Sequence, residues 1–448
     1  MIRFLLPTLI AVSTSVFCLE PYCAGEKFKR AHAGVCIIDL QTGEEVYSQN
    51  PEQFFATASL QKIPLSVAAI ALLGPEFQFR TELALEGAID KEGTVHGNIW
   101  IRGGGDPTFS FENLNAWESE LKKLGITKIQ GKIIADPSCF ETALASPFWY
   151  FEDLGNYYGA GPCGLSINEN MYRITFAPGQ KVGDPATIVG TEPSIPGLVT
   201  FNEVTTGPAG SGDQVFVFGA EYSSVQYYRG TVPIDQPTLT VKAAMPDPAQ
   251  FCASALFAKF PATMGYDVSR SSSSISLNTL CRRESLPLKE IVRKMNLHSV
   301  NLYAEHLLKA IGGGKGRQGR LALQIYLKQL GIPAQVRDGS GLARTNLLTP
   351  RGFAALLQMI RKNPLLVSIY DSFPEPGKPG SLRSFPQISK AALRAKTGSM
   401  TNISNLGGYL TLPSGKEYAF ALFCNNFEGP SSDLIPEMHR FLERFVSP

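Results

Sequence analysis

The segment Ser59-Leu60-Gln61-Lys62-Ile63-Pro64-Leu65-Ser66-Val67-Ala68-Ala69-Ile70 sets a hydroxyl and an amine three residues apart at the head of an apolar run. Residues i and i+3 share one face of a helix, so the Lys62 amine is expected within reach of the Ser59 hydroxyl. The run predicts a buried helix over residues 59–73, and burial pushes an amine toward its neutral, proton-accepting form. At a helix start the free backbone N–H groups and the dipole also favour a developing oxyanion. The four-residue pattern alone decides little. Ser119-Glu120-Leu121-Lys122 matches it too, in a charged segment that reads as a solvated helix face.

Two further short patterns lie downstream. Ser-x-Asn occurs at Ser48–Asn50, Ser166–Asn168, Ser276–Asn278 and Ser299–Asn301. Only the last falls between two predicted amphipathic helices, 286–297 and 302–311, where a short turn presents both side chains to a cleft. Lys396-Thr397-Gly398 occurs once and belongs to a predicted strand, 393–399, whose glycine lets a substrate backbone come close. Strands at 405–412 and 417–424 follow. Leu434, Met438, Phe441 and Phe445 then recur at helical spacing, a stripe expected to cover the sheet; a membrane-surface anchor is the other reading. Near the N-terminus, residues 32–46 alternate around Gln41-Thr42-Gly43 and predict a hairpin.

Between these ends the texture changes. Residues 75–275 are rich in Gly, Pro, Thr and short alternating runs, which predicts β-rich inserted modules. Gly103-Gly104-Gly105-Asp106-Pro107 lacks the spacing of a phosphate loop and reads as a tight turn. The expected architecture is one α+β domain made from both chain ends, with the middle inserted into it. At 448 residues the chain exceeds one ordinary core.

Composition excludes several classes. Forty-one basic and 39 acidic residues give a net charge of +2, so no nucleic-acid partner is expected. Five histidines, none at metal-ligand spacing, argue for neither a metal nor another cofactor. Arg3 and the apolar run 4–17, followed by small residues near Cys18 and Cys23-Ala24-Gly25, read as an export signal, so residues 1–25 are expected to direct the chain to the periplasm. Of the eight cysteines, Cys139 and Cys163 flank one segment; a disulfide between them and buried free thiols both stay open.

The ordered motifs, together with Tyr158-Gly159-Ala160, Leu165-Ser166-Ile167-Asn168-Glu169-Asn170, Asn301-Leu302-Tyr303-Ala304-Glu305 and Asp338-Gly339-Ser340-Gly341-Leu342, carry a family resemblance. The chain resembles the class-C low-molecular-mass penicillin-binding proteins, which are D-Ala-D-Ala carboxypeptidase/endopeptidases, over nearly its whole mature length. The resemblance implies a serine β-lactamase/transpeptidase-like domain, an antiparallel sheet covered by helices, at 26–70 and 276–448. A large insertion is then expected at 71–275, in two subdomains: 71–95 with 176–275, and 96–175. It departs from the usual pattern at Leu60, Val300 and Ser399.

On this resemblance Ser59 attacks the penultimate D-Ala carbonyl of a peptidoglycan stem peptide, and β-lactam antibiotics inhibit by acylating the same hydroxyl. Lys62 is the expected base, its pKa lowered by burial and by the charge of Lys396. Ser299 relays a proton, Asn301 holds Lys62 and the substrate amide, and Lys396, Thr397 and Ser399 bind the terminal carboxylate beside Gly398. The family also implies Asp153 and Tyr158, from the insertion, as readers of the stem's diamino-acid side chain. His298 and His306 are read as ordinary helix-face residues. A homodimer is left open. The rival readings are a serine β-lactamase, for which Glu305 and Glu375 are the glutamates between the last two motifs, and a non-catalytic wall-binding or penicillin-sensing module.

Overall fold

The computed structural model describes residues 19–260, 264–271 and 275–447. Its central five-stranded sheet runs in the order Ala392–Met400, Ile403–Thr411, Glu417–Asn425, His32–Asp39 and Glu45–Gln49, so the two chain ends meet in the middle of one sheet. All four pairings are antiparallel. Strand Glu417–Asn425 shows why its sequence is apolar without alternation. Successive side chains point to opposite faces, and both faces are covered. Ala419, Ala421 and Phe423 enter one core with the helices Lys62–Leu73, Leu288–His298, Asn301–Ile311 and Pro350–Lys362. Phe420, Leu422 and Cys424 enter a second core under the helix Leu434–Val446.

That terminal helix buries the expected stripe of Leu434, Met438, Phe441 and Phe445 against the sheet, which leaves the anchor reading without its apolar face. Tyr22 and Cys23 are buried in the same core, so residues 19–25 belong to the folded domain and not to a leader ending at 25. The apolar run 4–17 and Cys18 lie outside the described residues. Among the described residues no helix is long and apolar enough to cross a membrane, and the cysteines are free thiols, Cys139 and Cys163 included.

The insertion divides differently from the expected cut. Arg80–Ile89 pairs with Thr94–Arg102 on one side and with Asn278–Glu284 on the other, in a six-stranded sheet completed by Ile133–Asp136, Tyr266–Val268 and Lys128–Ile129. A boundary at 95/96 would split that hairpin, and one at 275/276 would strip an inserted strand of its partner. The helices Phe111–Lys123 and Pro248–Phe257 pack into the core of this sheet. Two three-stranded sheets between Met171 and Ala244 form the second subdomain around Tyr172, Val217 and Tyr228. The Gly103–Gly105 turn is a packing device: a Cβ on Gly104 would lie 1.8 Å from the Arg80 carbonyl oxygen.

Candidate active site

Strand Ala392–Met400 lies along the turn that carries Ser59. Residues Ala58–Gln61 form a 3-10 turn, and the α-helix begins only at Lys62, so Ser59 precedes the helix expected to hold it. The chain enters this turn through Ala58 in the left-handed region (φ 44°), a strained conformation for a residue with a Cβ. Two glycines wedge it in place. A Cβ on Gly341 (φ 87°) would lie 1.8 Å from the Ala58 carbonyl oxygen. One on Gly398 would lie 2.7 Å from the Thr57 carbonyl oxygen. Only bare backbone lets the strand and the 338–342 loop close on the turn that carries Ser59.

Lys62 is fully buried, and its Nζ has three neighbours: Ser59 Oγ at 2.8 Å, Asn301 Oδ1 at 2.7 Å and the Ser340 carbonyl at 2.7 Å. The amide orientation of Asn301 is fixed from behind, because its Nδ2 donates to the Tyr158 carbonyl at 2.9 Å. Two of the three neighbours are therefore pure acceptors. A neutral amine has two hydrogens and one lone pair. Once both hydrogens are given to Asn301 and Ser340, the lone pair is left for the Ser59 hydroxyl. Burial lowers the Lys62 amine to about 7, against the opposing pull of Asp338 and Glu305.

Ser299 caps the helix Leu288–His298 in the left-handed conformation (φ 60°), which swings its hydroxyl back across the cleft. Lys396, also fully buried, donates to Ser299 Oγ at 2.9 Å and to the Thr397 carbonyl at 2.8 Å. Burial, and then the charge of Lys62, drives the Lys396 amine well below its ordinary value. Burial is the first cause at both lysines, and repulsion between the two amines further disfavours charging both. Thr397 and Ser399 continue the strand toward the cleft mouth, paired with Leu406 and Ser404.

A second layer escaped sequence reasoning. Asp338, fully buried, accepts the backbone N–H of Gly341 (2.8 Å) and Ala343 (2.6 Å) together with Trp149 Nε1 (2.8 Å) and Asn346 Nδ2 (2.7 Å). Glu305 accepts the N–H groups of Gly339 at 3.0 Å and Ser340 at 2.7 Å. The two carboxyls hold the loop that turns the Ser340 carbonyl onto Lys62. Burial raises both, Glu305 to about 8. Their signal in the sequence was the two stretches Asn301–Glu305 and Asp338–Leu342, which gave no role to either acid.

The remaining residues sort cleanly. Asp153 and Tyr158 line the same cleft of about 860 Å³ as Ser59, Ser299 and Ser399. Burial, then the charge of Glu152, raises the Asp153 carboxyl, while Arg344 opposes. Burial, then Asp153, pushes the Tyr158 phenol up to about 12. His306 is on a helix face but buried, pushed down to about 4 by burial, with its nitrogens on the Leu302 carbonyl and Ser166 Oγ, both at 2.8 Å. The duplicate motif is inert: Ser119 Oγ donates to the Asn115 carbonyl and Lys122 pairs with Glu118 on an exposed helix face.

Residues 18–444 match the D-Ala-D-Ala carboxypeptidase 3 (S13) family. The chain is 28% identical to a D-alanyl-D-alanine carboxypeptidase from an Actinomadura species, over 90% of this chain and 79% of that protein. It is 26% identical to the D-alanyl-D-alanine carboxypeptidase DacB of Haemophilus influenzae, over 89% of this chain and 86% of that one. The crystal structure of penicillin binding protein 4 from H. influenzae superposes with a TM-score of 0.82 at 24% identity, covering 94% of this chain and 97% of that one. A second crystal structure of that protein is complexed with a β-lactam.

Proposed function

The chain belongs to the D-Ala-D-Ala carboxypeptidase 3 (S13) family and is a serine-type peptidase; we propose that Ser59 is its nucleophile, Lys62 its base and the peptidoglycan stem peptide its substrate. One observation carries the reading: Lys62 Nζ lies 2.7–2.8 Å from Ser59 Oγ, Asn301 Oδ1 and the Ser340 carbonyl, so a neutral amine that donates to the latter two keeps its lone pair for the Ser59 hydroxyl.

Two ammonium groups repel strongly in a dry site, so the pair holds one proton more readily than two. The terminal carboxylate of the substrate favours that proton on Lys396, with Thr397 and Ser399 as hydroxyl donors beside it. Lys62 is then neutral when Ser59 attacks. The Ser59 proton passes to Lys62, the hydroxyl oxygen bonds to the D-Ala carbonyl carbon, and the carbonyl oxygen takes the negative charge. Backbone N–H groups of Ser59 and Ser399 are suited to that oxyanion. Collapse breaks the C–N bond, and the departing amine receives a proton through Ser299. Water then adds across the ester and restores Ser59.

A β-lactam presents a strained amide to the same hydroxyl, which is why it acylates and blocks the site. The β-lactamase reading lacks its base: Glu305 is committed to Gly339 and Ser340, and Glu375 pairs with Lys378 and Arg394. Export to the periplasm, resting on the apolar run 4–17, completes the proposal because the wall lies there. Incubation with a labelled penicillin followed by mass mapping tests it. Label is expected on the peptide containing Ser59, and lost in Ser59→Ala but not in Ser119→Ala. Label elsewhere would overturn the assignment.

A further inference from the structure

The N-terminal segment meets the central sheet through two thiols in contact. Cys23 Sγ lies 3.7 Å from Cys424 Sγ, although the two residues are 401 positions apart in the chain. Both are buried in the core under the helix Leu434–Val446. The surroundings of Cys23 hold it there. The Gln49 side chain grips both backbone groups of Tyr22, accepting its N–H at 2.9 Å and donating to its carbonyl at 3.2 Å. The Tyr22 ring packs edge-on against Phe441, centroids 5.5 Å apart. Cys23 itself lies in the left-handed region (φ 59°), which a residue with a Cβ adopts only when its surroundings impose it. Cys424 belongs to the strand Glu417–Asn425, paired with Ala33 on one side and Ser404 on the other. Cys36 and Cys139 donate instead to the Glu45 carboxylate and the Gly164 carbonyl.

A disulfide needs its sulfurs about 2.0 Å apart, so an approach of about 1.7 Å closes the gap. We propose that Cys23 and Cys424 form a disulfide when the chain folds outside the cytoplasm. This rests on the export included in the proposed function and adds a covalent cross-link to it. Each thiol gives up its hydrogen and the two Sγ atoms bond. The two electrons and two protons pass to a disulfide oxidant, whose own S–S bond breaks to give two thiols. Such exchange runs through a thiolate. The hydrogen bond to Cys424, and then burial, raises the Cys23 thiol far above its ordinary value. The folded, reduced protein therefore reacts slowly, and the bond closes while the core assembles.

The cross-link lies behind the turn that carries Ser59. The Cys424 N–H donates to Asn405 Oδ1 at 3.2 Å, and Asn405 Nδ2 donates to the carbonyls of Ala56 at 2.9 Å and Thr57 at 3.1 Å. Ala56 and Thr57 lead directly into the turn Ala58–Gln61. A bond that closes so long a loop restricts the unfolded chain, and it fastens the N-terminal segment to the strand on which that turn leans. Neither thiol lies in the cleft, so the effect falls on stability and leaves the chemistry at Ser59 alone.

The test refolds the denatured, reduced full chain in two buffers, one holding oxidised and reduced glutathione and one holding excess reductant. Free thiols are alkylated, and the protein is digested without reduction and mapped by mass. In glutathione, a Cys23 peptide is expected joined to a Cys424 peptide, two hydrogens lighter than their sum; in reductant, both thiols are expected to be alkylated. The cross-linked form is expected to melt on the order of 5 °C higher, with penicillin labelling both forms at one rate. Cys23→Ser is expected to melt at the same temperature from either buffer. Both thiols alkylated in glutathione, either one joined to a different cysteine, or a Cys23→Ser protein that keeps the full melting difference would each overturn the pairing. So would a mature exported chain that begins after Cys23. A protein that cross-links on refolding but is found in the cytoplasmic fraction of cells would instead overturn the export in the proposed function, and the pairing of the two thiols would stand.

Discussion

Asn301 donates its Nδ2 to the backbone carbonyl of Tyr158 at 2.9 Å, so a residue of the insertion decides which end of the Asn301 amide faces Lys62. Asn301→Asp is close to isosteric and reverses this logic. It places a carboxylate beside Lys62, which favours the charged amine, and it leaves the Tyr158 carbonyl without a donor. Penicillin acylation at pH 7 is expected to fall by about a hundredfold or more, in the range lost with a general base. Stopped-flow acylation rates check it; an unchanged rate would show that Lys62 does not depend on this partner.

Acylation by the unaltered enzyme is expected to rise with pH through about 7, because the neutral form of Lys62 is the proton acceptor and grows as pH passes the lowered value of its amine. The sign is definite: the limb rises. In Asn301→Asp the same limb is expected to move to higher pH. A rate that falls between pH 6 and pH 8 would assign the base to another group.

Gly398→Ala probes the wedge against the nucleophile's turn. The added Cβ would meet the Thr57 carbonyl oxygen at 2.7 Å and the Leu60 N at 3.1 Å, and both are backbone atoms. Overpacking of this kind costs about 1–3 kcal/mol. Acylation is expected to suffer more than thermal stability, since the displaced turn carries Ser59. Wild-type acylation would mean that the strand can retreat freely.

Glu305→Gln tests the β-lactamase alternative. The amide keeps an acceptor for the Gly339 and Ser340 N–H groups, so the loop is expected to hold. The lifetime of the penicilloyl-enzyme, followed by intact mass, is expected to stay within about twofold of wild type, an effect under ~0.5 kcal/mol. A strongly lengthened lifetime would make Glu305 a deacylation base.

Asp153→Asn separates reading of the diamino acid from support of the fold. A charge-assisted contact is worth roughly 1.5–3 kcal/mol. Activity is expected to drop about tenfold or more on stem peptides with a free ammonium, and little on acetylated analogues. Equal losses on both would assign Asp153 to the scaffold.

The grouping of the proposed catalytic residues was legible because each motif brings its own local context. Ser59 and Lys62 lie on one turn, Ser299 and Asn301 bracket a helix junction, and Lys396 sits in a short strand. The clamp behind them was not. Glu305 and Asp338 act through backbone N–H groups of a loop, and no spacing rule links a helix residue to a loop thirty-odd positions away. The subdomain cut failed for a related reason: Asn278–Glu284 completes a sheet begun at Arg80–Ile89, and periodicity carries no information about such distant partners. The helix Pro248–Phe257 was hidden in a stretch read as β-rich, although Asp247 caps it and Pro248 opens it.

The interleaved central sheet has a consequence for the order of synthesis. His32–Asp39 pairs with Glu417–Asn425, and the strand bearing Lys396 is joined to the sheet only through Ile403–Thr411. A chain emerging from its N-terminus therefore displays Ser59 long before it owns the edge that completes the cleft. Contacts this remote in sequence close late and slowly. Ser59, the proposed nucleophile, is born disarmed, and its cleft is complete only when almost the whole polypeptide has been made.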